Sequence, residues 1–170
     1  MASSPDIARL YDDHAPALFA FLLNLLRNEA DTFDVMQDLF VKLDRRPALL
    51  EGVRDERGFL LRLAHNAAID LIRRQDARER NYDGLAREQI SLFAKSPDAD
   101  EQVFREKLAE ALGELPPDQR AVVHLKLWEN LTFEAISETL EIPLNTAASR
   151  YRYGLDKLRE RLRPLYDEIK

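Results

Sequence analysis

Between residues 144 and 163 the chain carries Asn145, Thr146, Ser149 and Tyr153, flanked by Arg150 and Arg152, at spacings of three and four. Amides and hydroxyls can hydrogen-bond base edges, and guanidinium groups can pair with phosphates. At about 100° per residue these side chains and Asp156 share one side of a helix. The opposite side collects Ala147, Tyr151, Leu155, Leu158 and Leu162. Over the same stretch Arg150, Arg152, Lys157, Arg159, Arg161 and Arg163 outnumber Asp156 and Glu160, as in a surface that binds a polyanion. This is chemistry for binding rather than for catalysis. His14, His65 and His124 form no ligand spacing, no glycine-rich phosphate loop is present, and the acidic pairs have no partner base. An enzyme is not expected, nor is a cofactor. With no cysteine in the chain, disulfides, thiolate metal sites and cysteine nucleophiles are excluded.

Holding such a face in place requires a second helix against its apolar side. Thr132 is a natural N-cap for a helix carrying Phe133, Ile136 and Leu140 on one stripe. Ile142 and Pro143 end it, because the residue before a proline is pushed out of the helical region and proline itself fits a first turn. The next helix should begin near Leu144 to Asn145. Helix, corner and basic helix together predict a helix-turn-helix that offers its second helix to the major groove. The same pattern also fits an antiparallel helix pair with a solvated basic face.

Upstream, apolar residues recur at helical spacing from Ile7 to Arg27, with Pro16 predicting a kink or a break into two pieces. A second helix is expected over 31–43, burying Val35, Met36, Leu39, Phe40 and Leu43 and turning Asp34, Gln37, Asp38, Val41 and Lys42 outward. Residues 44–58, with Pro47, Gly52 and Gly58, read as a loop. A third helix follows from Phe59 to Glu79, its buried side made of Phe59, Leu60, Leu63, Ala64, Ala67, Leu71 and Ile72. Periodicity then fades as far as Asp100, apart from a short helix expected around 85–93. Beyond it, Val103, Phe104, Leu108 and Leu112 mark one helix, and Val122, Val123, Leu125 and Leu127 the next, with Trp128 as a core anchor.

The fold class expected is therefore all-α: two small helical domains, residues 1–80 and 101–170, joined by a linker over 81–100. The net charge of −6 is unevenly spread, with 9 basic against 7 acidic side chains over 44–80 and 7 against 4 over 142–170. Two basic patches on an acidic carrier suit a protein that touches nucleic acid at two places and binds it weakly alone. The longest apolar run, residues 18–26, is too short to span a bilayer, so a cytoplasmic protein without membrane insertion is expected.

Residues 114–162 resemble region 4 of bacterial sigma factors of the extracytoplasmic-function type, through Leu115-Pro116, Arg120, Thr132 with Ile136-Ser137, and Thr146 with Ser149-Arg150. Residues 31–43 resemble region 2.2, and Arg62, Ala64, Asn66, Asp70, Arg73 and Arg74 match regions 2.3 and 2.4. The resemblance implies a transcription initiation factor that binds core RNA polymerase and directs it to promoters. Asp34, Gln37, Asp38 and Lys42 would contact the clamp helices of the β′ subunit, and the second domain the β flap. Arg54, Arg57, Asn66, Asp70, Arg73 and Arg74 would hold the extruded minus-ten strand. Asn145, Thr146, Ser149, Arg150, Arg152 and Tyr153 would read the minus-thirty-five duplex. An anti-sigma factor is a further possible partner. Two other readings remain open: a sigma-like module that sequesters an anti-sigma factor without initiating transcription, and a two-domain repressor. In region 2 the family often has an aromatic pair near the start of the third helix, where only Phe59 remains beside Leu60 and Leu61; in region 4, Glu141 stands at a corner where glycine is common, Ala148 replaces a frequent lysine, and Tyr153 replaces an arginine.

Overall fold

The computed structural model describes residues 5–79 and 90–169. The chain divides into two compact units, Met1–Arg87 and Glu88–Lys170, and among the described residues there are helices but no strand.

The first unit contains α1 (Ile7–Leu26), α2 (Glu29–Arg45), a single 3-10 turn at Pro47–Leu50, and α3 (Glu56–Glu79). Each helix begins on a side-chain cap. Asp6 accepts from Arg9 N and Asn28 from Asp31 N, and Asp55 Oδ1 accepts from Gly58 N at 3.0 Å; these bonds satisfy amides that have no partner inside the helix. α2 also carries Glu29 and Asp31 in its first turn and Lys42 and Arg45 in its last, matching the helix dipole at both ends. α1 packs on both α2 and α3, burying Leu10, Leu18, Phe21, Leu22 and Leu25 against Val35, Met36, Leu39, Phe40 and Leu43 of α2 and Leu60, Leu61, Ala64 and Ala68 of α3. Two polar links fix α3 at its ends. Near its start Glu56 takes two hydrogen bonds from Arg9, at 2.9 and 3.3 Å, which hold its carboxyl below the usual carboxylate range. Near its end Gln75 Nε2 donates to Asp31 Oδ2 at 2.8 Å.

The second unit contains α4 (Ala99–Glu114), α5 (Pro117–Leu127), α6 (Phe133–Leu140) and α7 (Leu144–Ile169). α7 packs on the other three. α5 is buried without interruption from Arg120 to Leu125, so this helix has to satisfy two polar side chains inside the unit. Arg120 does so by donating Nη1 to the carbonyls of Leu112, Gly113 and Leu115, at 3.4, 3.2 and 2.9 Å. These carbonyls close α4, so a buried cation sits at the negative end of its dipole and fixes the Leu115-Pro116 corner. His124 is buried as well, and burial pushes its imidazole down to about 4. α7 comes close to α5 at Gly154, where an added Cβ would lie 2.7 Å from Val123 Cγ2; only glycine fits there.

Several expectations are corrected. α1 runs unbroken through Pro16, because this residue lies on the exposed face, where the carbonyl deprived of its N–H partner faces water, while Leu10 and Leu18 anchor both sides in the core. The 44–58 loop contains the 3-10 turn and the first turn of α3. Leu61 and Ala68 are buried in α3, whereas Phe59, Leu63, Ala67, Leu71 and Ile72 are only half-buried. Residues 90–93 are not helical, and 85–89 lie outside the described residues. Leu92 and Phe93 instead pack on the core of the second unit. Ser96 N donates to Gln102 Oε1 at 2.8 Å, and Arg105 donates to the carbonyl of Ala94. The part of the expected linker from Leu92 onward thus belongs to the second unit. Val103 and Leu127 are exposed rather than core. Trp128 is partly exposed, its ring 5.7 Å from Phe93 and 5.5 Å from His124.

Replacing Arg120 with Met keeps the apolar bulk and strands buried carbonyls. It is expected to cost about 1–3 kcal/mol in urea unfolding of the full chain. The unfolded chain binds a proton at His124 below its ordinary value of 6.5, while the folded unit resists until about 4. Stability from this group is therefore present above pH 6.5 and is lost as pH falls toward 4. Between pH 7 and 4.5 the wild type should lose about 2 kcal/mol more than His124→Leu. Equal losses in the two proteins would remove His124 as the cause.

Candidate nucleic-acid interface

The helix-turn-helix is built as its local chemistry requires. Thr132 Oγ1 accepts from Ala135 N at 3.1 Å, opening α6. α6 closes at Glu141, which is left-handed (φ 55°, ψ 48°), a conformation costing a non-glycine residue about 1–2 kcal/mol. Offsetting that strain, Ile142 N donates to Ser137 O at 3.0 Å, and the Ser137 hydroxyl donates to Ile142 O at 2.5 Å. Pro143 then leads directly into α7, where Ala147 N donates to Pro143 O at 3.0 Å. α6 and α7 meet through Ile136, Leu140 and Ala147, all buried, and through the rings of Phe133 and Tyr151, 5.5 Å apart.

With Ala147, Gly154, Leu158 and Leu162 buried and Tyr151 and Leu155 half-buried, α7 turns its other side to solvent. Asn145, Arg152 and Tyr153 are exposed and Thr146, Ser149 and Arg150 half-buried. Asn145, Thr146, Ala148, Ser149 and Arg152 line a shallow, open depression. The Arg152 guanidinium lies 5.3 Å from the Tyr153 ring centroid. The Ser149 hydroxyl donates back to Thr146 O at 3.2 Å, leaving its lone pairs outward as acceptors. Arg150 faces Asp118, in the first turn of α5, at 3.9 Å. So long and exposed a pair is weak, and the guanidinium is available to a stronger anion. The structure thus brings all six residues expected for the minus-thirty-five face onto one side of one helix. Two positions were missed from the sequence. Leu144, the first residue of α7, is 45% exposed and lies one turn before Ala148 on the same face; its spacing to Ala148 was the available signal. Ser137 locks the corner, and nothing in its spacing marks it.

In the first unit Asn66, Asp70, Arg73 and Arg74 are exposed on α3. Separations of four and seven from Asn66 keep Asp70 and Arg73 on one side, with Arg74 beside them. Arg54 is exposed in the bend before α3. Arg57, in the first turn, is half-buried; nine residues before Asn66 is two and a half turns, so it lies on the far side of the helix from that group. On α2, Asp34, Gln37, Asp38, Val41 and Lys42 are all exposed, with the buried Val35, Met36, Leu39, Phe40 and Leu43 behind them. Among the described residues no group of three or more histidine or acidic side chains is placed to hold a metal, and no helix is long and apolar enough to cross a membrane.

Comparison with known proteins agrees with this geometry. The model of Sigma-70 region 2 matches residues 10–78, and that of Sigma-70, region 4 matches residues 111–160. The RNA polymerase sigma factor CarQ of Myxococcus xanthus is 34% identical over 162 residues, covering 94% of this chain and 91% of CarQ. The ECF RNA polymerase sigma factor SigL of Mycobacterium tuberculosis is 30% identical over 158 residues, covering 92% and 88%. Among solved structures, the sigma factor RpoE of Bartonella quintana, crystallised with the anti-sigma factor NepR, superposes with a TM-score of 0.76 at 21% identity over 92% of this chain and 96% of RpoE, a likeness of fold. With both conserved regions matched in order and relatives aligned over nearly their whole length, the chain belongs to the sigma-70 family, as an RNA polymerase sigma factor of the extracytoplasmic-function type.

Proposed function

We propose that this chain divides the work of a sigma factor, the directing of core RNA polymerase to promoters, between three exposed helix faces. α2 docks on the polymerase β′ clamp helices through Asp34, Gln37, Asp38 and Lys42. α3 holds the single-stranded minus-ten element: the Asn66 amide reads an unstacked base, Arg73 and Arg74 follow the backbone, and Arg54 approaches from the preceding bend. α7 enters the major groove of the minus-thirty-five duplex, with Asn145, Thr146 and Ser149 toward base edges and Arg150 and Arg152 toward phosphates. In this reading residues 1–80 form the polymerase and minus-ten domain, 101–170 the minus-thirty-five domain that also meets the β flap, and the tie between them is confined to part of 81–100. The chain performs no catalysis itself, works in the cytoplasm beside the polymerase, and is open to control by an anti-sigma factor.

One observation supports this reading: the two units present differently furnished exposed faces, on helices that lie within or overlap the stretches matched to Sigma-70 regions 2 and 4. None of the three faces is occupied by its unit's own core.

Reconstitution with purified core enzyme tests it. Promoter-dependent run-off transcripts are expected from a template library. Polymerase binding with no transcript from any template would instead fit a module that titrates an anti-sigma factor, and tight duplex binding without polymerase would fit a repressor. Asp38→Arg is expected to abolish pull-down of core polymerase with the helical circular dichroism unchanged; normal recovery would remove α2 as the docking face. Arg150→Ala is expected to weaken minus-thirty-five affinity of the holoenzyme about equally across sequences and to lower the slope of its salt dependence by about 1, and unchanged affinity would take that residue out of the interface.

A further inference from the structure

The first two turns of α7 are more apolar than phosphate binding calls for. Leu144 is 45% exposed, although an exposed leucine at the tip of a helix otherwise rich in charge has nothing to gain from water. Four residues on, Ala148 lies on the same face and lines the shallow depression with Asn145, Thr146, Ser149 and Arg152. The depression therefore has a methyl group on its wall, an amide one turn toward the N-terminus and a guanidinium one turn toward the C-terminus. Neither side chain is among the buried core: Leu144 is 45% exposed, and Ala148 is half-buried beside the wholly buried Ala147.

Major-groove edges offer few apolar features, and chief among them is the C5-methyl of thymine. Its partner adenine presents an acceptor and a donor side by side, N7 and N6, which one asparagine amide can engage together. An A·T pair is thus the complement of Asn145 set beside Ala148, and a second thymine methyl that of Leu144. Guanine and cytosine edges would leave both methyl-bearing positions against polar atoms, and burying a polar group without a partner is unfavourable. We propose that Leu144 and Ala148 are specificity-determining residues which read thymine methyl groups in the minus-thirty-five duplex, with Asn145 engaging the adenine of the pair. This inference rests on α7 being the helix that enters the minus-thirty-five groove, and it adds the base class that the helix selects.

The test uses the full chain with core polymerase. Sites are first selected from a duplex library randomised over the minus-thirty-five region. The selected duplex is then remade with each thymine in turn replaced by deoxyuridine, which removes only the methyl. Wild-type holoenzyme is expected to lose affinity about fourfold at one or two positions, as for one methyl withdrawn from a buried contact. Leu144→Gln with Ala148→Ser should bind the thymine and deoxyuridine duplexes alike, with its melting temperature close to the wild type. Selected sites without thymine, or affinity indifferent to deoxyuridine at every position, would overturn the assignment using the unmodified protein. Failure to enrich any sequence at all would instead count against the reading of α7 as a promoter-binding helix.

Discussion

Among the described residues one unit has three α-helices and the other four, too few to surround most of them, so nearly every helix buries one stripe and leaves the rest to water. That constraint makes the exposed faces possible. α2, α3 and α7 each spend one side on the core, and the other is free to carry amides, carboxylates and arginines with no cost in packing. α5 is the exception. It is enclosed from Arg120 to Leu125 and has no outward face along that span, and its two polar side chains serve the interior. Arg120 closes α4 by its bonds to three carbonyls; with α4 set against α5, both can support α7. α7 is thus supported through a buried cation some distance from its own exposed face.

The helix-turn-helix corner shows how a departure from a family pattern is absorbed. Glu141 occupies a left-handed position that glycine would take without strain. The hydroxyl of Ser137 supplies a bond across the corner to Ile142. Glu141 raises the energy of the corner and the Ser137 bond lowers it.

Most of this arrangement was legible in the sequence, because helices announce themselves by period and cap. Thr132, Pro143 and the stripe from Ala147 to Leu162 placed the starts of α6 and α7 to within a residue, and the six-residue face of α7 followed from the same wheel. The outward set on α2 was equally plain. What periodicity could not supply was tertiary information. Pro16 looks like a breaker, yet its harm depends on which way it faces. Leu127 and Val103 fit an apolar stripe but lie at its edge. Phe93 lies in a stretch without helical period, and only the presence of Trp128 and the α4 core shows why it is ordered. Arg57 belongs to a loop by composition, while its place in the first turn of α3 sets it opposite Asn66. Resemblance supplied the order and identity of the regions, and the residues supplied the chemistry each face can perform.

The loose pairing of Arg150 with Asp118 across 3.9 Å has one last consequence. If α7 enters the groove as proposed, the carboxylate beside this guanidinium acts as an internal surrogate for phosphate. Any duplex must displace it, so each encounter with the chromosome, cognate or otherwise, yields less from that arginine than a bare cation would give. On that reading the ratio between right and wrong sequences is untouched, but the absolute hold on wrong ones falls, and an unaccompanied chain would stay in solution until polymerase supplied the rest of the grip.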